Sequence, residues 1–222
     1  MGKKILVVPT NPMVANSSDM NPQIQKIIEG FLHKNISEKR KSILIPLAEY
    51  LQKKVYLGEP IRLNFICTHN SRRSHLAQIW AQTMAYYFKI PNVFCYSGGT
   101  EATAIFPEII QTLIYQGFDI YPLSESQNSI YAIKYAPSEP AIIGFSKTYQ
   151  HPFNPKNRFL AIMTCSDADE GCPVVLGAEA RFSIPYEDPK TFDTTPSQNQ
   201  KYKERSLEIA QEMWWIFRSI QK

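Results

Sequence analysis

The sequence predicts an α/β protein: a three-layer sandwich with a central parallel four-stranded sheet, an inserted β-hairpin and extra N-terminal helices. Two observations carry this. From about residue 61, short apolar runs alternate with amphipathic helical stretches, the pattern of a parallel sheet with helices on its faces. Between about residues 120 and 157 two β-like runs around a Pro-containing turn interrupt the alternation. The chain therefore divides into residues 1–20, an extension open to disorder, residues 21–60, a helical segment, and residues 61–222, the α/β domain with its insertion.

Residues 1–20 show little periodicity and close on the polar Asn16-Ser17-Ser18-Asp19. Ile24, Ile27, Ile28 and Phe31 then recur at helical spacing. A second helix is predicted from residue 37 towards 54, with Pro46 as a kink or boundary and Glu38-Lys39-Arg40-Lys41 as a solvated face. Residues 63–67 read as a buried strand. Residues 74–88 read as a helix with Leu76, Ile79, Trp80, Met84 and Tyr87 on its apolar face. A second strand over 93–97 ends at Gly98-Gly99. A helix over 106–116 has Pro107 at its start and Gly117 past its end. The inserted runs are 129–136 and 141–149. Strands follow at 159–164 and 180–184, and a helix over 202–220 turns Leu207, Ala210, Met213, Trp214 and Phe217 inwards.

The formal net charge is +4, from 24 basic and 20 acidic residues. That surplus is too small to imply nucleic acid but suits a small oxyanion. No apolar run reaches the ~18 residues of a membrane span. Lys3 and Lys4 precede an apolar run that Pro9 ends too early for a signal peptide, so a cytoplasmic location is expected. Four cysteines without a CxxC pair do not make a disulfide scaffold. In a reducing compartment such thiols rest free, and those that matter do so chemically.

Cys67-Thr68-His69-Asn70-Ser71-Arg72-Arg73-Ser74 lies between a strand and a helix. An open α/β sheet puts its ligand there, at the carboxyl end of a strand. A short loop entering a helix turns backbone N–H groups inwards, and the helix N-terminus adds partial positive charge, so the loop suits a tetrahedral oxyanion. Arg73 can fold over the loop and grip two anion oxygens with its planar fork. A buried cysteine ending a core strand, or a metal site from Cys67, His69 and His75, are the alternatives.

Cys165-Ser166-Asp167-Ala168-Asp169-Glu170-Gly171-Cys172-Pro173 follows the third strand of the α/β domain, so Cys165 opens at the same sheet edge as Cys67. On an intact helix, residues seven apart share a face but stand about 10 Å apart in rise. A disulfide needs Cα atoms within about 7 Å, so a bond between Cys165 and Cys172 requires the segment to loop out. Asp188-Pro189 lies in a loop after the last strand, where an aspartate can serve as general acid. Cys95, inside a strand, reads as core packing.

This order of strand, Cx5RS, helix, CxxADxxCP and Asp-Pro resembles the thioredoxin-coupled arsenate reductases of the low-molecular-weight protein tyrosine phosphatase superfamily, over about residues 61–222. Gly98-Gly99-Thr100-Glu101-Ala102 is similar to the loop after that family's second strand. The resemblance implies Cys67 as nucleophile, Asn70 as loop asparagine, Arg73 as oxyanion-binding arginine and Ser74 as the hydroxyl that hydrogen-bonds the thiolate. It implies Cys165 and Cys172 as resolving cysteines and Asp188 as the acid. Thr68, His69, Asn70, Ser71, Arg72 and Arg73 would form the substrate cradle. The implied reaction is reduction of arsenate to arsenite, with thioredoxin as partner and no resident cofactor. Two departures stand out. His69 replaces the usual Gly, which implies a strained or altered loop path. Arg72 replaces a second loop cysteine and would add charge at the mouth. A phosphatase acting on phosphate monoesters through a phosphorylated Cys67 is the alternative. Lys190-Thr191 after the Asp-Pro, where tyrosine phosphatases carry aromatics, leans against it, while Tyr186 and Phe192 keep it open. A thiol sensor without turnover is a third reading.

Overall fold

The computed structural model describes residues 19–171 and 174–222. Most of the expected extension, residues 1–18, lies outside the described residues, as do Cys172 and Pro173. In chain order the elements are α1 (Pro22–Gly30), α2 (Glu38–Tyr56), β1 (Ile61–Cys67), α3 (Arg73–Tyr87), β2 (Val93–Gly99), α4 (Pro107–Tyr115) and β3 (Asp119–Pro122). There follow β4 (Tyr131–Lys134), β5 (Ile142–Gly144), β6 (Phe159–Met163), α5 (Ser166–Gly171), β7 (Ala178–Ser183) and α6 (Gln198–Arg218).

The central sheet has the order β2-β1-β6-β7 and is parallel throughout, with Leu63 of β1 opposite Cys95 of β2 and Leu160 of β6. Successive strand side chains point to opposite faces. Leu63 and Phe65 with Leu160 and Ile162 join the large core, to which α2, α3 and α6 contribute Leu44, Leu51, Trp80, Met84, Ile209 and Phe217. Ile66, Phe159, Ala161 and Met163 form a smaller cluster with Ala168 of α5 and with Tyr149. Because β1 has β2 on one side and β6 on the other, the chain reverses its direction of travel at β1. The crevice at the carboxyl ends of β1 and β6 is thus the place where an α/β sheet accepts a ligand.

The insertion holds the expected hairpin as the antiparallel pair β4-β5, and a further strand, β3, extends it to a three-stranded sheet of order β3-β4-β5. The additional strand, β3, is largely exposed and ends in Pro122, so it carries neither apolar alternation nor a strand-like ending. It forms by pairing Ile120 with Ile133, whose side chain is fully buried.

The N-terminal helices belong to the same core. Asn21 caps α1 by accepting the Gln23 N–H (3.0 Å), and Pro22 occupies its first turn. Ser37 caps α2 by accepting the Arg40 N–H (3.2 Å). Pro46 neither ends α2 nor divides it. Losing one helical hydrogen bond costs ~3 kcal/mol, while each buried leucine contributes about 1.5–3 kcal/mol, and Leu44, Leu47 and Leu51 bury around the proline. Arg40, expected on a solvated face, instead clamps α2 to α6: its guanidinium is bidentate on Glu212 (second contact 2.9 Å) and lies 4.8 Å from the Tyr186 ring centroid. Glu212 has a side chain only 4% exposed. Arg40→Met should therefore lower unfolding stability by about 3 kcal/mol, since it strands a buried carboxylate, and Arg40→Met/Glu212→Met should recover most of the loss; urea denaturation of both variants checks this.

Candidate active site

The loop from Cys67 to Arg73 joins β1 to α3 and is held entirely from behind. Thr100 N–H donates to the Cys67 carbonyl (3.1 Å) and Glu101 N–H to that of Thr68 (2.8 Å). Ser146 Oγ donates to His69 O (3.0 Å), His75 Nε2 to Asn70 O (2.9 Å) and Phe106 N–H to Ser71 O (3.1 Å). In a trans peptide the N–H points opposite to the C=O. With five successive carbonyls facing outward onto these donors, the following N–H groups face the inside of the loop, an arrangement that binds anions. Close approach of the second strand makes this possible. A Cβ on Gly99 would stand 2.3 Å from Glu101 O, 2.6 Å from Thr68 O and 2.7 Å from Asn70 N.

Asn70 takes the left-handed backbone conformation (φ 44°) that asparagine tolerates. His69, at which a strained path was expected, is not among the positive-φ residues. Its side chain is 46% exposed and lies 3.8 Å from Glu101. Asn70 Oδ1 accepts the Lys147 N–H (2.9 Å), which orients the amide, so Nδ2 donates to Ser74 Oγ (2.9 Å). The Ser74 hydroxyl proton is then left for Cys67 Sγ, 3.1 Å away. This chain of bonds runs from the insertion to the sulfur, which is 3% exposed.

The Arg73 guanidinium meets the segment that follows β7. Nη1 donates to Tyr186 O (2.9 Å) and Nη2 to Asp188 Oδ2 (2.6 Å), while its buried Nε has no hydrogen-bond partner among the described residues. An anion oxygen in the cradle would satisfy that orphan donor. Asp188 also caps the single 3-10 turn Pro189–Phe192 by accepting the Lys190 N–H (3.0 Å). Cys165 follows β6 at the same edge, 1% exposed, with Sγ 3.6 Å from Thr68 Oγ1. Cys172 lies outside the described residues. The expected charge of Arg72 at the mouth is corrected: the side chain turns away to Asp193 (2.7 Å) and the Tyr202 hydroxyl (2.6 Å). Tyr186 does not line the mouth as an aromatic wall; it is 4% exposed, beneath Arg40.

Two further groups lie behind the loop: His75, which in the sequence suggests only a metal ligand, and Lys147, to which no motif points. His75 Nε2 carries the proton that Asn70 O accepts, so Nδ1 accepts from Ser97 Oγ (3.3 Å). Lys147 is 1% exposed; its Nζ donates to Phe145 O (3.2 Å) and lies over the rings of Phe145 (4.4 Å) and Phe153 (5.4 Å). Burial lowers the Lys147 pKa to about 7. The buried thiol of Cys95 is pushed up, as a core cysteine's is.

No protein-family model matches the chain, and no curated protein matches it. Solved structures of similar shape include a YwlE mutant from Bacillus subtilis (14% identity, 71% of this chain and 96% of that one, TM-score 0.49). Others are a low-molecular-weight protein tyrosine phosphatase from T. tengcongensis (16%, 69% and 95%, 0.46) and an arsenate reductase from Archaeoglobus fulgidus (19%, 70% and 98%, 0.43).

Burial first, and the Lys147 charge second, hold the His75 pKa down to about 3, from 6.5. The unfolded chain therefore takes up a proton below pH 6.5 that the folded chain refuses, and stability present above that pH is lost as pH falls towards 3. Between pH 7 and 4.5 this should remove about 2–3 kcal/mol, seen as a drop in the urea midpoint, and His75→Gln should lack that drop while being less stable at pH 7.

Proposed function

We propose that the chain reduces arsenate to arsenite through Cys67, Cys165 and Cys172, with thioredoxin restoring the thiols. The observation that carries the reading is the position of Cys165, buried against the oxyanion loop at the end of the strand beside Cys67. A phosphatase has no need of a thiol there.

In the proposed cycle arsenate sits on the inward N–H groups and on the Arg73 fork. The Cys67 thiolate attacks arsenic, and a hydroxyl leaves as water with a proton from Asp188. Cys165 then attacks the Cys67 sulfur. The S–As electron pair stays with arsenic, which departs as arsenite, and a Cys67–Cys165 disulfide remains. Attack of Cys172 on Cys165 returns Cys67 as a thiolate. The Cys165–Cys172 disulfide is reduced by the dithiol of thioredoxin, which is itself oxidised. No resident cofactor is called for, because each step is an attack by a thiolate, first on arsenic and then on sulfur, and thioredoxin supplies the electrons.

The assay is arsenate-dependent NADPH consumption with thioredoxin and thioredoxin reductase. Cys165→Ser should lose more than about 100-fold in turnover. Cys172→Ser should yield one arsenite per chain and stop as the Cys67–Cys165 disulfide. Hydrolysis of an aryl phosphate by wild type, undiminished in both variants and without arsenate reduction, would overturn the reading in favour of a phosphatase.

A further inference from the structure

Two neighbouring arginines pin the same short segment. Arg73 holds Asp188 at its start (2.6 Å), and Arg72 holds Asp193 at its end (2.7 Å). Between them lies the 3-10 turn Pro189–Phe192, which Asp193 closes by donating its N–H to Lys190 O (3.0 Å). The Arg72 end is the more elaborate. Its guanidinium lies 4.0 Å from the Phe106 ring centroid, and its Nε donates to the Tyr202 hydroxyl (2.6 Å). Tyr202 in turn donates to Asp193 Oδ1 (2.5 Å) and stacks on Phe106 (5.5 Å). The ion pair is largely shielded, with side chains 12% and 20% exposed.

The two ties have different fates once an anion enters. Two of the five N–H donors of Arg73 go to Tyr186 O and Asp188, and its Nε is left for an anion oxygen. The guanidinium that holds Asp188 is therefore the same one that an oxyanion would draw on. Arg72 makes no contact that the anion competes for. We infer that Arg72, with Asp193 and Tyr202, is a positioning device that keeps the Asp188 segment in place while Arg73 is occupied by the oxyanion. This rests on the oxyanion reading of the loop given above, and does not depend on whether arsenate or a phosphate ester is the substrate.

Hydrogen exchange at the Lys190 and Asp193 amides tests it, with inorganic phosphate as the probe and calorimetry to verify phosphate binding. In wild type these amides should be equally protected with and without saturating phosphate. In Arg72→Met they should stay protected without phosphate and exchange at least about tenfold faster with it. Arg72→Lys should restore part of the protection, since its ammonium can meet Asp193 but cannot fork to Tyr202. In arsenate turnover Arg72→Met should lower kcat by about tenfold or more with KM little moved. Equal opening of the segment with and without phosphate would make Arg72 merely structural, and no phosphate-dependent opening would make it dispensable; either overturns the inference. Failure of phosphate to bind wild type, read by calorimetry, would sink the oxyanion reading and the inference with it.

Discussion

A peptide group cannot turn its donor and acceptor edges the same way, and the site depends on that restriction. Holding the carbonyls of residues 67–71 from outside commits the N–H groups to the inside. The donors come from several parts of the chain: the residues after β2, the entry to α4, the return from the small sheet and the first turn of α3. No one segment could shape the loop alone, so a short stretch of sequence needs most of the domain around it. Gly99 is part of the same requirement, because the loop backbone passes where a side chain would stand.

Charge is arranged with similar economy. Arg73 holds Asp188 and the Tyr186 carbonyl and keeps its Nε unpaired among the described residues, while Arg72 is held among Asp193, Tyr202 and Phe106. Behind the loop His75 is neutral, its ring fixed by the carbonyl of Asn70 on one side and the Ser97 hydroxyl on the other. The nearby Lys147 cation is surrounded by ring faces and a carbonyl rather than a carboxylate.

The parallel sheet and its flanking helices could be read from the chain because burial on both faces makes β6 a continuous apolar run, β1 is apolar but for Arg62 and Asn64, and α3 and α6 keep helical spacing. Cys67 and Arg73 could be read from their spacing in one short loop, and Asn70 and Ser74 from the family resemblance; all four lie together because they are close in the chain. The strand β3 escaped notice because its stability comes from a partner strand and not from its own exposed residues. Lys147 and Ser146 escape for a related reason: each stands 77 positions along the chain from the loop residue it meets. Arg72 was misjudged because sequence gives the order of two adjacent arginines but not which way each turns. Phe106, Asp193 and Tyr202, all distant in the chain, decide that.

The bond from Lys147 N–H to Asn70 has a consequence for how the domain can be divided. The small antiparallel sheet looks like a detachable decoration, but the chain leaving it supplies the donor that aligns Asn70 and, through Ser74, the sulfur of Cys67. Trimming the insertion to a minimal core would remove a backbone contact that no side-chain substitution elsewhere could replace. The insertion and the Cys67 sulfur therefore form one inheritable unit, and a change in the length of the insertion is also a change in how that sulfur is held.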